Sequence, residues 1–188
     1  MSIRLTRPKE ADLRHLAEAG TKDSLTYEPI GISGNTEAPA GYHFDRWSRT
    51  LGASDDVFRS AAQALRTWQV QRGAGLIVCE NGPPTVGAVV AMAAPLPLGF
   101  IDVVCRVVVV HDEPNRFGFA YGTLRVHPEQ GEESFTVVRH EDGSVVFEIV
   151  AVSRPRHLLA RAFAPIARRL QRSATTRYLD AMSAATRS

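Results

Sequence analysis

From Gly75 to Ser153 the chain alternates apolar and polar residues with a period of two. The joints between the alternating runs are too short to hold a helix. The runs fall at 75–80, 86–94, 99–111, 116–125, 132–141 and 144–153, and the joints are NGPP, the PLPLG stretch, DEPN, HPEQG and EDG. Strands linked this closely in sequence pair with their neighbours as an antiparallel meander, because a parallel pair needs a long crossover. Asp142-Gly143 suits a tight turn between the last two runs. Upstream, YHFDRWSRTL (Tyr42–Leu51) alternates well enough to be a first strand, which makes seven in all.

Helical spacing flanks the meander. Residues 8–19 place Leu13, Leu16 and Ala17 on one face, with Gly20 positioned to end the helix. Thr21 to Gly41, with Pro29, Gly31, Gly34 and Pro39, is irregular. Ser54 can cap a helix with Asp55 and Asp56 in its first turn, and the apolar positions Phe58, Ala61, Ala62, Leu65 and Trp68 carry it to Gly73. The final stretch is a long helix with Leu158, Leu159, Ala162, Phe163, Ile166, Leu170, Tyr178, Leu179 and Met182 on one face. Pro155 suits its first turn. Pro165, in the middle of the run, removes a backbone hydrogen bond, clashes with the carbonyl of Arg161 and should bend the helix. The expected fold is α+β: a curved seven-stranded antiparallel sheet wrapped around a long C-terminal helix, the helix-grip arrangement. We divide the chain into an N-terminal extension with a short helix, 1–41, and a helix-grip domain, 42–188.

Composition narrows the function classes. With 44% hydrophobic and 22% charged residues the chain is of ordinary globular type. The N-terminus MSIRLTRPKEADLRHL has no apolar core of the signal-peptide kind, so a cytoplasmic protein is expected. The most apolar region, Val86 to Val110, is interrupted by Pro95, Pro97, Gly99, Asp102 and Arg106 and cannot span a membrane as a helix. Cys79 and Cys105 lie in apolar runs and read as buried, reduced thiols. Residues 154–188 carry eight arginines against one acidic residue, Asp180, while the rest of the chain is net acidic. A solvated face is the plain reading of that basic helix, and peripheral contact with an acidic membrane surface is a second. Nucleic acid is not expected, because aromatic residues do not interleave the basic ones.

The alternation sorts residues by face. Phe135 and Val137 oppose Thr136 and His140, and Phe147, Ile149 and Ala151 oppose Glu148. Phe117, Phe119, Tyr121 and Thr123 then line the concave side, where the two hydroxyls need partners. Tyr121 and Thr123 could orient a ligand or donate a proton; they could equally bond a neighbouring strand. His43 on the first strand joins this set, and Phe163 and Ile166 form its lid. HPEQGEE carries His127, Glu129, Glu132 and Glu133, yet no second histidine or cysteine stands at metal-ligand spacing, so neither a metal nor another cofactor is expected. The expected role of Glu129, Glu132 and Glu133 is a clasp: one pairs with Arg154 or Arg106 and pins the loop to the helix start. Arg106, inside CRVVVV, must reach solvent or an acid, with Asp102 and Glu148 as candidate partners.

The runs GYH at Gly41–His43, RGAG at Arg72–Gly75, CRVV at Cys105–Val108, GFAYGTL at Gly118–Leu124, HPEQGEESF and SRP at Ser153–Pro155 resemble one family. It is the domain-of-unknown-function family numbered nineteen-ninety, an uncharacterised family of bacteria and plants, and the likeness covers about Thr26 to Met182. That family is grouped with the START-like, pollen-allergen-type helix-grip superfamily, so the resemblance implies the fold already derived. It brings no established reaction. Relatives in the superfamily hold apolar molecules between sheet and helix, and some catalyse cyclisation or dehydration.

Three functions from different classes follow as expectations. The first is binding of a small apolar or amphipathic molecule in the sheet–helix cavity by Tyr121, Thr123, His43, Phe119, Phe135, Phe147, Phe163 and Ile166. The second is an enzyme of cyclase or dehydratase type acting on such a molecule there. The third is an interaction module with a filled core.

Overall fold

The computed structural model describes residues 2–156 and 164–187, with the backbone alone over 164–172. Its strands are β1 (Ile3–Arg4), β2 (His43–Ala53), β3 (Ile77–Cys79), β4 (Val89–Leu96), β5 (Gly99–Glu113), β6 (Arg116–Thr123), β7 (Glu129–Arg139) and β8 (Ser144–Pro155). Its helices are α1 (Glu10–Gly20), α2 (Asp55–Arg66), α3 (Gln69–Gly73) and α4 (Ala164–Ala185). The sheet order is β2-β8-β7-β6-β5-β4-β3, and every neighbouring pair is antiparallel. β1 makes an eighth strand, pairing Ile3 with Ile101 of β5. Bulges between Val107 and Val109 and between Thr50 and Gly52 add local twist to a curved sheet.

Register fixes the two faces. Phe119 pairs with Phe135, Phe135 with Ile149, and Val137 with Phe147, so these side chains share the concave face. Phe135, Val137, Phe147 and Ile149 are fully buried there, in one core with Trp68, Val70, Tyr178 and Met182. Phe119 stacks on Phe135 at 5.6 Å, and Tyr178 meets Phe135 edge-on at 5.1 Å. Burying one such ring contributes about 1.5–3 kcal/mol, so this cluster carries much of the fold. Glu148 faces away and pairs with Arg46 at 3.5 Å. Thr136 also alternates away from Phe135 and Val137.

The convex face is covered too. Leu13 and Ala17 of α1 pack on Ala91, Ala93, Val104 and Leu124. Tyr27 and Ile32, from the irregular segment after α1, pack on Val150 and Val152. The N-terminal residues are therefore a second layer on the sheet.

Three elements depart from expectation. The helix starting at Ser54, capped as expected by its side chain on the Val57 amide, stops at Arg66 and restarts at Gln69. Trp68 sits between the two in a left-handed conformation (φ 56°), its indole N–H donating to the Gly82 carbonyl at 3.0 Å. Turning the indole into the core offsets a backbone cost of about 1–2 kcal/mol. Pro155 does not open the last helix; it ends β8, opposite Glu129. The absent N–H suits a strand terminus. β7 begins at Glu129, not at residue 132, so the glutamates of HPEQGEE lie on a strand. The bend expected from Pro165 against Arg161, and the lid expected from Phe163 and Ile166, involve residues or side chains outside the described ones. The side chains of Leu170, Arg168, Arg169 and Arg172 also lie outside them.

Candidate functional site

Extending β7 back to Glu129 changes what its residues do. Glu129 and Glu133 share the parity of Phe135 and face the concave side, while Gln130 and Glu132 face the convex one. Phe135 and Val137 are sealed, yet Glu129, Glu133 and, on β8, Ser153 keep part of their surface accessible. The concave face is thus solid at one end and polar and accessible at the other.

Glu133 is the centre of the polar end. Tyr121, directly opposite it on β6, donates its hydroxyl to Glu133 Oε2 at 2.8 Å. Tyr178 of α4 brings a second hydroxyl beside Tyr121. Burial pushes the Glu133 carboxyl up to about 7; the Tyr121 hydrogen bond opposes this rise and the charge of Glu129 adds to it. Both tyrosines are raised, first by burial and then by Glu133, so they remain protonated donors. Glu129 is also raised by burial, with Ser153 hydrogen-bonding it and Asp45 adding to the rise. Cys105 is held as a thiol by complete burial, reinforced by Glu133. His127 accepts the Glu129 amide at 3.0 Å on Nδ1, and burial lowers it to about 4, so it is neutral near pH 7. Chemically, this set can hold one proton near neutrality and present hydroxyl donors beside it.

The other expected site residues separate into groups. Phe119, Phe135 and Phe147 are sealed in the core. Thr123 is committed to structure: its hydroxyl lies 2.6 Å from that of Thr26 and accepts the Gly131 amide at 3.0 Å. His43 is exposed at the start of β2, opposite Ser153.

The clasp takes a different form from the one expected. Among the described residues, Glu129, Glu132 and Glu133 meet no arginine. Arg154 donates to Gln130 Oε1 at 3.2 Å and lies 4.5 Å from the Tyr42 ring centre. Arg106 donates to the carbonyls of Gly20 and Thr21, both at 3.0 Å, and closes the end of α1. Asp102 belongs to Arg4, at 2.9 Å. Glu132 is the residue that clasps, and it does so on the convex face. Its carboxylate accepts the Tyr27 hydroxyl at 2.6 Å, the amides of Gly31 and Ser33 at 2.9 and 3.0 Å, and the Ser33 hydroxyl. Four donors replace the arginine and bind the segment after α1 to the sheet.

Sequence spacing alone puts Tyr178 on an apolar helix face, and its hydroxyl is the signal that it serves more than packing. Gln71 of α3 gave no signal, yet it is fully buried and neither amide atom has a partner among the described residues. No three His, Cys, Asp or Glu side chains converge as a metal site among the described residues. Nor is any described helix long and apolar enough to cross a membrane.

Residues 26–181 match the family model described as a domain of unknown function, DUF1990. The chain belongs to that family. A UPF0548 protein of Dictyostelium discoideum is 27% identical to this DUF1990 chain over 165 residues, covering 81% of this chain and 75% of that protein. A Thalictrum flavum norcoclaurine synthase point mutant, solved with a transition-state analogue, superposes with a TM-score of 0.54 at 13% identity, covering 77% of this chain and 94% of that one. The ZhuI aromatase/cyclase of Streptomyces sp. R1128 gives 0.52 at 16%, covering 78% and 94%. At such identities the likeness is one of fold. The DUF1990 chain has the helix-grip fold.

Proposed function

We propose that this protein binds a small amphipathic molecule between the concave sheet face and α4, with the molecule's polar end at Glu133 and Tyr121. The observation that carries the reading is the change along a single face, from sealed Phe135 and Val137 to accessible Glu129 and Glu133. A solid core gives no reason to keep a hydrogen-bonded Tyr–Glu pair beside accessible space. The apolar part of the ligand rests against Trp47, which stands opposite Ile149 on the same face, packs on the core and keeps part of its surface accessible. Helix-grip relatives such as the synthase and the aromatase/cyclase act on small molecules, which supports a ligand of that size.

Uptake of the neutral dye phenylnaphthylamine, followed by fluorescence, tests this. The dye should bind with one-to-one stoichiometry and be displaced by decanol. Tyr121→Phe should weaken decanol about tenfold, the worth of one hydrogen bond to a polar group, while leaving the dye within about twofold. A protein that takes up neither compound has a filled interior, and the interaction-module reading then leads.

One observation favours an enzyme as the second reading. The Tyr121 hydroxyl lies 2.8 Å from a carboxyl that titrates at about 7, an acid–base pair suited to a cyclisation or dehydration. Turnover of the bound molecule would then follow a pH profile that breaks near 7 and is abolished by Glu133→Gln.

A further inference from the structure

A cleft lies outside the concave face, along β3 at the end of the sheet order. Its volume is about 480 Å³, within the range of small-molecule sites. Three arginines line it, Arg7, Arg14 and Arg72, against two glutamates, Glu10 and Glu80. Each glutamate is already paired. Arg72 places Nη2 at 2.7 Å from both Glu80 oxygens, and Arg14 pairs with Glu10 one turn earlier on α1. Arg7 is exposed and has no hydrogen bond or ion pair among the described residues. The cleft therefore keeps one uncompensated positive charge, carried by the arginine free to move onto a ligand.

The paired arginines are not exhausted. A guanidinium has five N–H donors in a planar fork, and the pairing with Glu10 and Glu80 positions those forks while leaving donors over. Below them the lining is apolar: Ile77 and Val78 of β3 face the cleft and keep part of their surface accessible. A cationic rim over an apolar floor selects an anionic head with a compact apolar body. We infer that this cleft binds a small organic anion, a phosphate monoester or carboxylate, with Arg7, Arg14 and Arg72 around the anionic group and Ile77 and Val78 beneath the body. This site is independent of the one at Glu133.

Isothermal titration calorimetry at low ionic strength, with phenyl phosphate and benzoate as probes, tests it. Inorganic phosphate and phenol serve as controls for charge alone and body alone. At least one organic anion should bind about tenfold or more tightly than either control, and Arg7→Gln should weaken it about tenfold. Arg7 has no partner to lose, so that variant should fold as the parent does. Arg72→Gln, with its fold checked by circular dichroism, should show a loss of similar size. The inference is overturned if neither anion binds at millimolar concentration, or if inorganic phosphate binds equally well. It is also overturned if Arg7→Gln leaves the affinity unchanged, or if phenylnaphthylamine displaces the anion, which would move it to the concave site.

Discussion

Replacing Glu133 by glutamine removes one titration from the interior and little else. The amide oxygen can still accept the Tyr121 hydroxyl, which lies 2.8 Å from the carboxylate in the parent. In the folded protein burial raises this carboxyl from the ordinary 4.5 to about 7. The folded state therefore holds the proton more tightly than the unfolded one. For an acid shifted upward, the stabilising contribution is complete below the unfolded value and is lost as pH rises through the folded value. At ~1.4 kcal/mol per pH unit the gap corresponds to about 3 kcal/mol, and the accessible part of the side chain lowers this to about 2–3. Glutamine mimics the protonated acid at every pH. The variant should therefore equal the parent near pH 4 and exceed its stability by about 2–3 kcal/mol near pH 8, with the change falling between about 4.5 and 7. Urea unfolding followed by tryptophan fluorescence, at half-unit steps of pH, measures that difference, and titrations common to both proteins cancel. A difference that is constant with pH, or one in which the parent gains relative stability as pH rises, would refute the reasoning.

Three further substitutions probe the frame around the site. Glu132→Ala should destabilise by about 3–5 kcal/mol in urea unfolding, because it strands the Tyr27 hydroxyl and the amides of Gly31 and Ser33 under the convex layer; limited proteolysis should then cut the segment after α1 first. Gly122→Ala should destabilise by about 1–3 kcal/mol, since an added Cβ would stand 2.4 Å from the Tyr27 hydroxyl and push the ring off Glu132. Gln71→Leu should raise the thermal midpoint, by about 1 kcal/mol or more of stability, because neither amide atom of this buried side chain has a partner to lose among the described residues.

Strand order, sheet faces and the covering helix were legible because alternation and short joints leave few other arrangements for residues 75–153. The site was legible only in part, for a reason visible at Glu129. Polar residues at the accessible end of a concave face break the apolar alternation that marks a strand, so HPEQG reads as a loop when β7 already begins within it. Continuing the period of two backwards from Phe135 through Glu133 to Glu129 recovers the correct faces. The same mistake produced the arginine clasp: a loop glutamate invites an ion pair, whereas Glu132 on a strand meets backbone amides and a tyrosine. The break at Trp68 was hidden for a different reason. Helical spacing continues through it, and only the tertiary demand for the indole in the core reverses the backbone there. The two residues of β1 are too few for any periodicity.

A ligand received at the accessible end of the concave face must perturb the backbone amides around it. Amide NMR spectra of the isotope-labelled protein, recorded as phenylnaphthylamine is added, test this most directly. Binding there should give saturable shifts at Glu129–Phe135, at Tyr121, at Ala151–Ser153 and at Tyr178, with Leu13 and Ile77 undisturbed. A spectrum that stays unchanged, or shifts confined to the residues around Leu13, Ile77 and Arg72, would contradict it.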